Sequence, residues 1–251
     1  MKQGVGSVPN FNRGNLNAIP IEKEIVDVLT MVSHCGYDNW WGIQADIGPN
    51  KKWTLAVLGS VGAIGRRQGY SQCFSLRAAE AGKIEQGFII QVLTKIQENS
   101  GQTLYDPATD RFAAPQWFGE FLYDLCWLRY DIDYGNIHHI DEGNFLIGNN
   151  AIYNQAKLLD APLLLESDWG DFSDVKEDFE KLLLARSKYK VMVFNLNQQN
   201  RQGARQLFNS YLEKFTSFIT QYPYTQSGDR YLFCGTSDYT HEFLFDQYTH
   251  P

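Results

Sequence analysis

The chain has 251 residues, with 22 basic against 29 acidic side chains, a formal net charge of -7, 43% hydrophobic and 20% charged residues. That composition is globular rather than disordered. It argues against a surface that coats nucleic acid broadly, although carboxylates that hold a metal count against the total and leave room for a local basic groove.

No run of roughly 18 apolar residues occurs, so no transmembrane helix is expected. The first twenty residues, rich in Asn and Gly, lack the apolar segment of a signal peptide. Cys35, Cys73, Cys126 and Cys234 are far apart and form no CxxC pair. Neither structural zinc nor a disulfide framework is expected, and free thiols in a cytoplasmic protein are.

Residues 1–20 read as an irregular arm, without periodicity. Ile21, Ile25, Val28, Leu29 and Val32 make a helical stripe that Gly36 closes. Residues 37–50 read as a loop. A second helix runs from Trp53 to about Ile64, with Arg66 and Arg67 in its last turn and Gly69 as its stop. Its Gly59, Gly62 and Gly65 do not have GxGxxG spacing, so close helix packing is expected rather than phosphate binding. Tyr70–Phe74 is a short strand, and residues 76–98 a helix with Ile84, Phe88, Val92 and Ile96 on one face.

After a loop over residues 99–116, Phe121–Leu128 is short, aromatic and almost wholly apolar, as a strand buried on both faces would be. Residues 131–149 are polar. Ala151–Leu159 reads as a helix and Leu163–Trp169 as a second buried strand. Asp174–Arg186 is an amphipathic helix with Val175, Phe179, Leu182 and Leu183 aligned, and Asp174 with Glu177 suggests a capping box. Tyr189–Phe194 is a third strand, Arg201–Thr220 a helix, and Tyr231–Cys234 and Glu242–Phe245 late strands. The strand, helix and strand from 163 to 194 form a βαβ unit and make the chain α/β. No linker separates domains, so residues 1–251 are read as one.

Three acids break the apolar pattern. Asp124 lies between Tyr123 and Leu125 in the first buried run, where an ionised carboxylate without a partner is costly. Glu166 and Asp168 end the second and, being two apart, share a face. Each has an ordinary explanation alone: Asp124 caps a loop or pairs with Arg, Glu166 pairs with Lys181, Asp168 starts a turn at Trp169-Gly170. If the two strands are neighbours, however, the three converge. Mutual repulsion then raises their pKa values unless a cation is present. An all-oxygen cluster suits Mg²⁺ or Mn²⁺.

The sequence of a strand with an internal Asp, a strand ending in Glu-x-acid, a helix and a strand resembles the PD-(D/E)XK nuclease superfamily. That superfamily includes restriction endonucleases and Holliday-junction resolvases. Asp124 matches its first acid and Glu166 its second. Asp168 stands where the superfamily has Lys, and Lys181, on the following helix, is the candidate for a migrated Lys. The run Leu164–Gly170, followed by Asp178–Leu182, is similar to uncharacterised bacterial members. The resemblance covers roughly residues 120–195.

It implies a restriction-endonuclease-like core, with a mixed central sheet flanked by helices in the order αβββαβ. That core would span residues 120–251, behind a mainly helical part over 21–119. It also implies Mg²⁺- or Mn²⁺-dependent hydrolysis of phosphodiester bonds in nucleic acid, with DNA the expected substrate and a homodimer a common arrangement. Asp124, Glu166 and Asp168 would hold the metal, and Lys181 would orient the attacking water or neutralise the scissile phosphate. An acid from the first core helix often joins such a site; Glu80 and Glu85 are the candidates. The alternative is a nuclease fold that binds nucleic acid or protein without cutting, motivated by Asp168 in the Lys position. A third reading is an interaction module using its 14% aromatic residues.

Other groups carry weaker signals. His138, His139, Asp141 and Glu142 lack metal-ligand spacing and read as a solvated loop, as do Asp131 and Asp133. Lys51, Lys52, Arg66 and Arg67, with Trp40, Trp41 and Trp53, read as a solvated face before a nucleic-acid surface. Arg186, Lys188 and Lys190 read equally as helix-end partners or as DNA contacts. GxSxG and P-loop motifs are absent.

Overall fold

The apolar runs pair into a single six-stranded sheet in the computed structural model, with strand order following chain order. The structure describes residues 20–37, 39–74, 79–105, 123–131, 157–237 and 242–251. The elements are α1 (Pro20–Tyr37), α2 (Pro49–Arg67), β1 (Ser71–Phe74), α3 (Ala79–Ser100), β2 (Leu125–Asp131), β3 (Lys157–Asp168), α4 (Phe172–Leu184), β4 (Tyr189–Asn195), α5 (Arg201–Gln221), β5 (Arg230–Ser237) and β6 (Glu242–Thr249). Strands β1, β2 and β3 pair antiparallel, β3–β4 and β4–β5 parallel, and β5–β6 antiparallel. Each parallel pair is joined through a helix, α4 or α5, as parallel strands require. The expected βαβ unit is therefore present, followed by a second.

Alternation along the strands splits the interior into two layers. Leu163, Leu165, Val191, Val193, Leu232 and Cys234 face α1, α2 and α3. Leu164, Met192, Phe194, Tyr231 and Phe233 face α4 and α5. The helical segment that precedes the acids is thus one wall of the sheet, and β1 adds a strand to its edge. The result is an α/β fold with helices on both faces. No helix among the described residues is long and apolar enough to cross a membrane.

The second layer is built on aromatic rings. Phe215 stacks on Phe233 at 5.2 Å and lies 4.4 Å from Phe179 and 5.7 Å from Phe194. In the first layer α2 approaches its neighbours closely at its glycines. A Cβ at Gly59 would stand 2.5 Å from Ile89 of α3, and one at Gly65 would stand 2.6 Å from the Trp127 ring of β2. These glycines serve packing, as expected. A buried ion pair ties the layers to the sheet: Arg230 of β5 donates to both oxygens of Glu22 on α1, at 2.8 and 2.7 Å.

Several boundaries differ from the sequence reading. β2 begins at Leu125, so Asp124 lies in a bend just before the strand and not within it. Residues 157–159, read as helix, are the start of β3, because they pair with Tyr130 and Asp131 across the β2–β3 hairpin. The rest of that expected helix, 151–156, lies outside the described residues. α1 passes through Gly36 to Tyr37. α4 begins at Phe172, where the Asp171 side chain accepts from the Ser173 amide, so Asp171 and not Asp174 is the N-cap. α4 ends at Leu184, short of Arg186. Residues 37–50 are not a featureless loop: Asn39, Trp40, Trp41 and Gly42 all have positive φ, a single left-handed turn held by Trp40 packing on Trp53 and Phe88. The expected N-terminal arm lies outside the described residues, apart from Pro20.

The basic and aromatic groups of the N-terminal part are engaged structurally. Trp40 and Trp53 are buried. Arg67 pairs with Glu24, Arg66 donates to the Leu104 carbonyl, and Lys51 pairs with Glu85 at 3.3 Å. Cys35, Cys126 and Cys234 are buried.

Candidate active site

The acids meet where β2 begins and β3 ends. Antiparallel pairing places Leu125 opposite Leu165 and Cys126 opposite Leu164. One step further along that register puts Asp124 opposite Glu166. Cα atoms in such positions are about 4.5–5.5 Å apart, and the Asp124 charge acts directly on Glu166. The Asp124 Oδ2 accepts from the Ser167 amide at 2.8 Å and the Ser167 hydroxyl at 2.9 Å, which fixes the bend onto β3. Glu166 shares the parity of Leu164 and therefore faces the α4 layer.

Helix α4 completes the cluster. Asp174, Asp178 and Lys181 fall at i, i+4 and i+7 and so occupy one helical face. Lys181 reaches the site although it lies more than two turns into its helix. Its Nζ is 2.5 Å from Asp178 Oδ1 and 3.8 Å from Glu166 Oε1. The Tyr123 hydroxyl donates to the Lys181 carbonyl at 3.4 Å, joining the bend to the helix.

Glu166 is the anomalous member. It is 1% exposed, and its Oε1 has no hydrogen-bond partner. A separation of 3.8 Å from Lys181 is an ion-pair distance but not a hydrogen bond. Burial above all, then the charges of Asp124 and Asp178, push its carboxyl up to about 9, against the opposing pull of Lys181 and the Asp124 amide. Asp124 is also raised, by burial first, while the two Ser167 donors hold it back. For Lys181, burial works downward, but the Asp178 hydrogen bond and the surrounding acids outweigh it, and the ammonium is held more firmly than usual.

Asp168 also shapes the chain locally. Its Oδ1 accepts from the Gly170 amide at 2.7 Å, making the turn into α4. Its carboxyl is raised by burial, with Asp178, Asp174 and Asp124 adding repulsion. It belongs to the same electrostatic neighbourhood as Asp124 and Glu166. As placed, however, no three His, Cys, Asp or Glu side chains among the described residues form a group that could hold a metal ion. The expected three-carboxylate shell is thus reduced to the facing pair Asp124 and Glu166. That pair still fits Mg²⁺ or Mn²⁺: its donors are all oxygen, one is a buried orphan, and Mg²⁺ commonly takes one or two carboxylates and fills its octahedron with water and phosphate.

Asp178 was not singled out as a site residue from the sequence, although its spacing from Lys181 on an amphipathic helix following Glu-x-Asp was a readable signal. Glu85 is buried and engaged by Lys51, with its second oxygen unpartnered. The Glu80 side chain, His138, His139 and Asp133 lie outside the described residues, as does the side chain of Asp131. Comparisons with protein-family models, with curated proteins and with solved structures found no match to this chain.

Proposed function

We propose that the protein is a divalent-metal-dependent nuclease with a restriction-endonuclease-like core, hydrolysing phosphodiester bonds in nucleic acid, DNA foremost. The observation that carries this reading is Glu166: a carboxylate 1% exposed, with one oxygen unpartnered, opposite a second acid and raised to about 9. A structural acid is normally buried with its hydrogen bonds complete. This one has the environment of a group awaiting a cation, and perturbed groups of this kind concentrate at functional sites.

Asp124 and Glu166 would hold Mg²⁺ or Mn²⁺, and such an ion supplies a bound water of lowered pKa and charge stabilisation at a phosphate. Asp124 is positioned by Ser167, so its second oxygen remains available toward Glu166. The protonated Lys181 ammonium, held by Asp178, would stand beside the scissile phosphate and offset its developing charge. Asp168 shapes the turn that delivers α4, and with it Lys181, to the end of β3.

A second reading, a nuclease fold that binds without cutting, is favoured by two facts. Asp168, two residues after Glu166, occupies the position where the superfamily has Lys. Lys181 is shared with Asp178. Incubation with plasmid, linear and single-stranded DNA and with RNA, in Mg²⁺ and then Mn²⁺, separates the readings. Cleavage by the wild type that falls at least a hundredfold in Asp124→Asn, Glu166→Gln and Lys181→Ala supports the nuclease. Binding without cleavage in either metal supports the second reading.

A further inference from the structure

The opposite pole of the sheet carries a cleft, of about 710 Å³, between the α4–β4 and α5–β5 connections at the amino ends of β3, β4 and β5. Its nearest β3 residue, Pro162, is four residues from Glu166, about 13 Å along the strand. Its size falls within the range of small-ligand sites.

The cleft is lined by two acids, Asp160 and Asp229, and two bases, Arg186 and Lys188, and both acids are engaged by other cations. Asp160 pairs with Arg129. Asp229 is turned to the interior, where it accepts from the buried Lys190 at 2.8 Å and from the Gln226 amide at 3.3 Å. Arg186 and Lys188 remain, both exposed, and neither forms an ion pair with a described residue. Two cations without an acidic partner line one cleft on a chain of net charge -7, with the Lys188 ammonium over the Tyr189 ring at 5.3 Å. They outweigh the partial negative charge at the carboxyl end of α4.

An aromatic surface faces the same space. Tyr224 is 77% exposed and sits edge-on to Tyr222 at 5.6 Å, and Tyr222 packs against the α4/α5 layer. Backbone hydrogen bonds brace the wall that holds them. Thr225 donates to the Tyr222 carbonyl, Asp229 to Gln226, and Gly228 and Asp229 exchange hydrogen bonds with His250. On the other side the Ser187 hydroxyl donates to the Tyr189 carbonyl. A pre-ordered cleft loses little entropy on binding.

We propose that this cleft binds a nucleoside monophosphate unit, its phosphate on Arg186 and Lys188 and its base on Tyr224. Guanidinium and ammonium groups are the usual phosphate partners, and an exposed tyrosine face stacks on any base. The unit comes either from a free nucleotide or from a nucleic-acid strand. The inference is independent of the metal site.

Titration calorimetry in EDTA tests it, with AMP, inorganic phosphate and a 5′-phosphorylated single-stranded oligonucleotide as probes. EDTA removes any contribution from a metal at the acid cluster. AMP or the oligonucleotide should bind, and affinity should fall at least tenfold in Arg186→Ala/Lys188→Ala. Tyr224→Ala should weaken AMP about tenfold and leave inorganic phosphate unchanged. Binding of AMP assigns the free nucleotide; binding of the oligonucleotide alone assigns the strand. No binding of either, or binding unchanged in both variants, overturns the proposal. All three side chains are exposed, so the folded state survives the substitutions, which circular dichroism checks.

Discussion

Glu166→Gln should melt above the wild type at pH 7, and the gain should vanish as the pH is lowered to about 4.5. Glu166 has a folded pKa of about 9 against an ordinary value of 4.5. Between these values the native state keeps a proton that the unfolded chain releases. Stability therefore falls as pH rises through this window. One pH unit corresponds to about 1.4 kcal/mol, so the acid costs about 3 kcal/mol by pH 7. In a chain of this size that is roughly 6–12 °C of melting temperature. Gln carries no charge and escapes the cost. Thermal melts of both proteins at pH 4.5, 6, 7 and 8 measure it. If Glu166→Gln is instead less stable at pH 7, the Lys181 ion pair satisfies the carboxylate and Glu166 is a structural residue.

Phe215→Ala should be the most damaging substitution away from the acids. Phe215 is fully buried on α5 and touches rings from α4, β4 and β5: Phe179, Phe194 and Phe233. Removing it leaves a cavity that four elements share, and such truncations cost about 3–5 kcal/mol. Urea unfolding should show a lower midpoint with an unchanged slope, as expected when stability falls and the denatured state does not change. Phe215→Leu should recover most of the loss, because the aliphatic side chain refills much of the space. If alanine costs less than about 1 kcal/mol, the ring cluster does not organise the second layer.

The parts of the fold that were legible are those where burial is local. α4 shows its core face in Val175, Phe179, Leu182 and Leu183 because one helix packs on one sheet. β4 reads as an apolar run because both of its faces are covered. The first half of β3 was not legible, since Lys157–Leu159 are exposed and owe their strand conformation to β2, distant in sequence. The left-handed turn at Asn39–Gly42 was equally hidden. Its two tryptophans carry no signal for positive φ, and only packing on Trp53 and Phe88 supports them.

The site divides in the same way. The anomaly of acids in apolar runs was visible, and so was the face shared by Glu166 and Asp168. Their different hydrogen bonds were not, because Asp168 accepts from a backbone amide, that of Gly170, in a turn no pattern of acids announces. The reach of Lys181 depends on how α4 lies on the sheet, which no local pattern encodes. Asp178 was overlooked because its meaning comes from the lysine it holds.

The direct test is calorimetric titration of the protein with Mn²⁺ and Mg²⁺ at pH 7.5, in two buffers of different ionisation enthalpy. The facing pair Asp124 and Glu166 predicts one ion bound per chain with release of about one proton, because the ion takes the place of the proton that Glu166 keeps below about 9. Binding and proton release should both disappear in Asp124→Asn and in Glu166→Gln. Binding that persists in these variants, or no binding by the wild type even with a phosphorylated oligonucleotide present, would contradict a metal centre at the junction of β2 and β3.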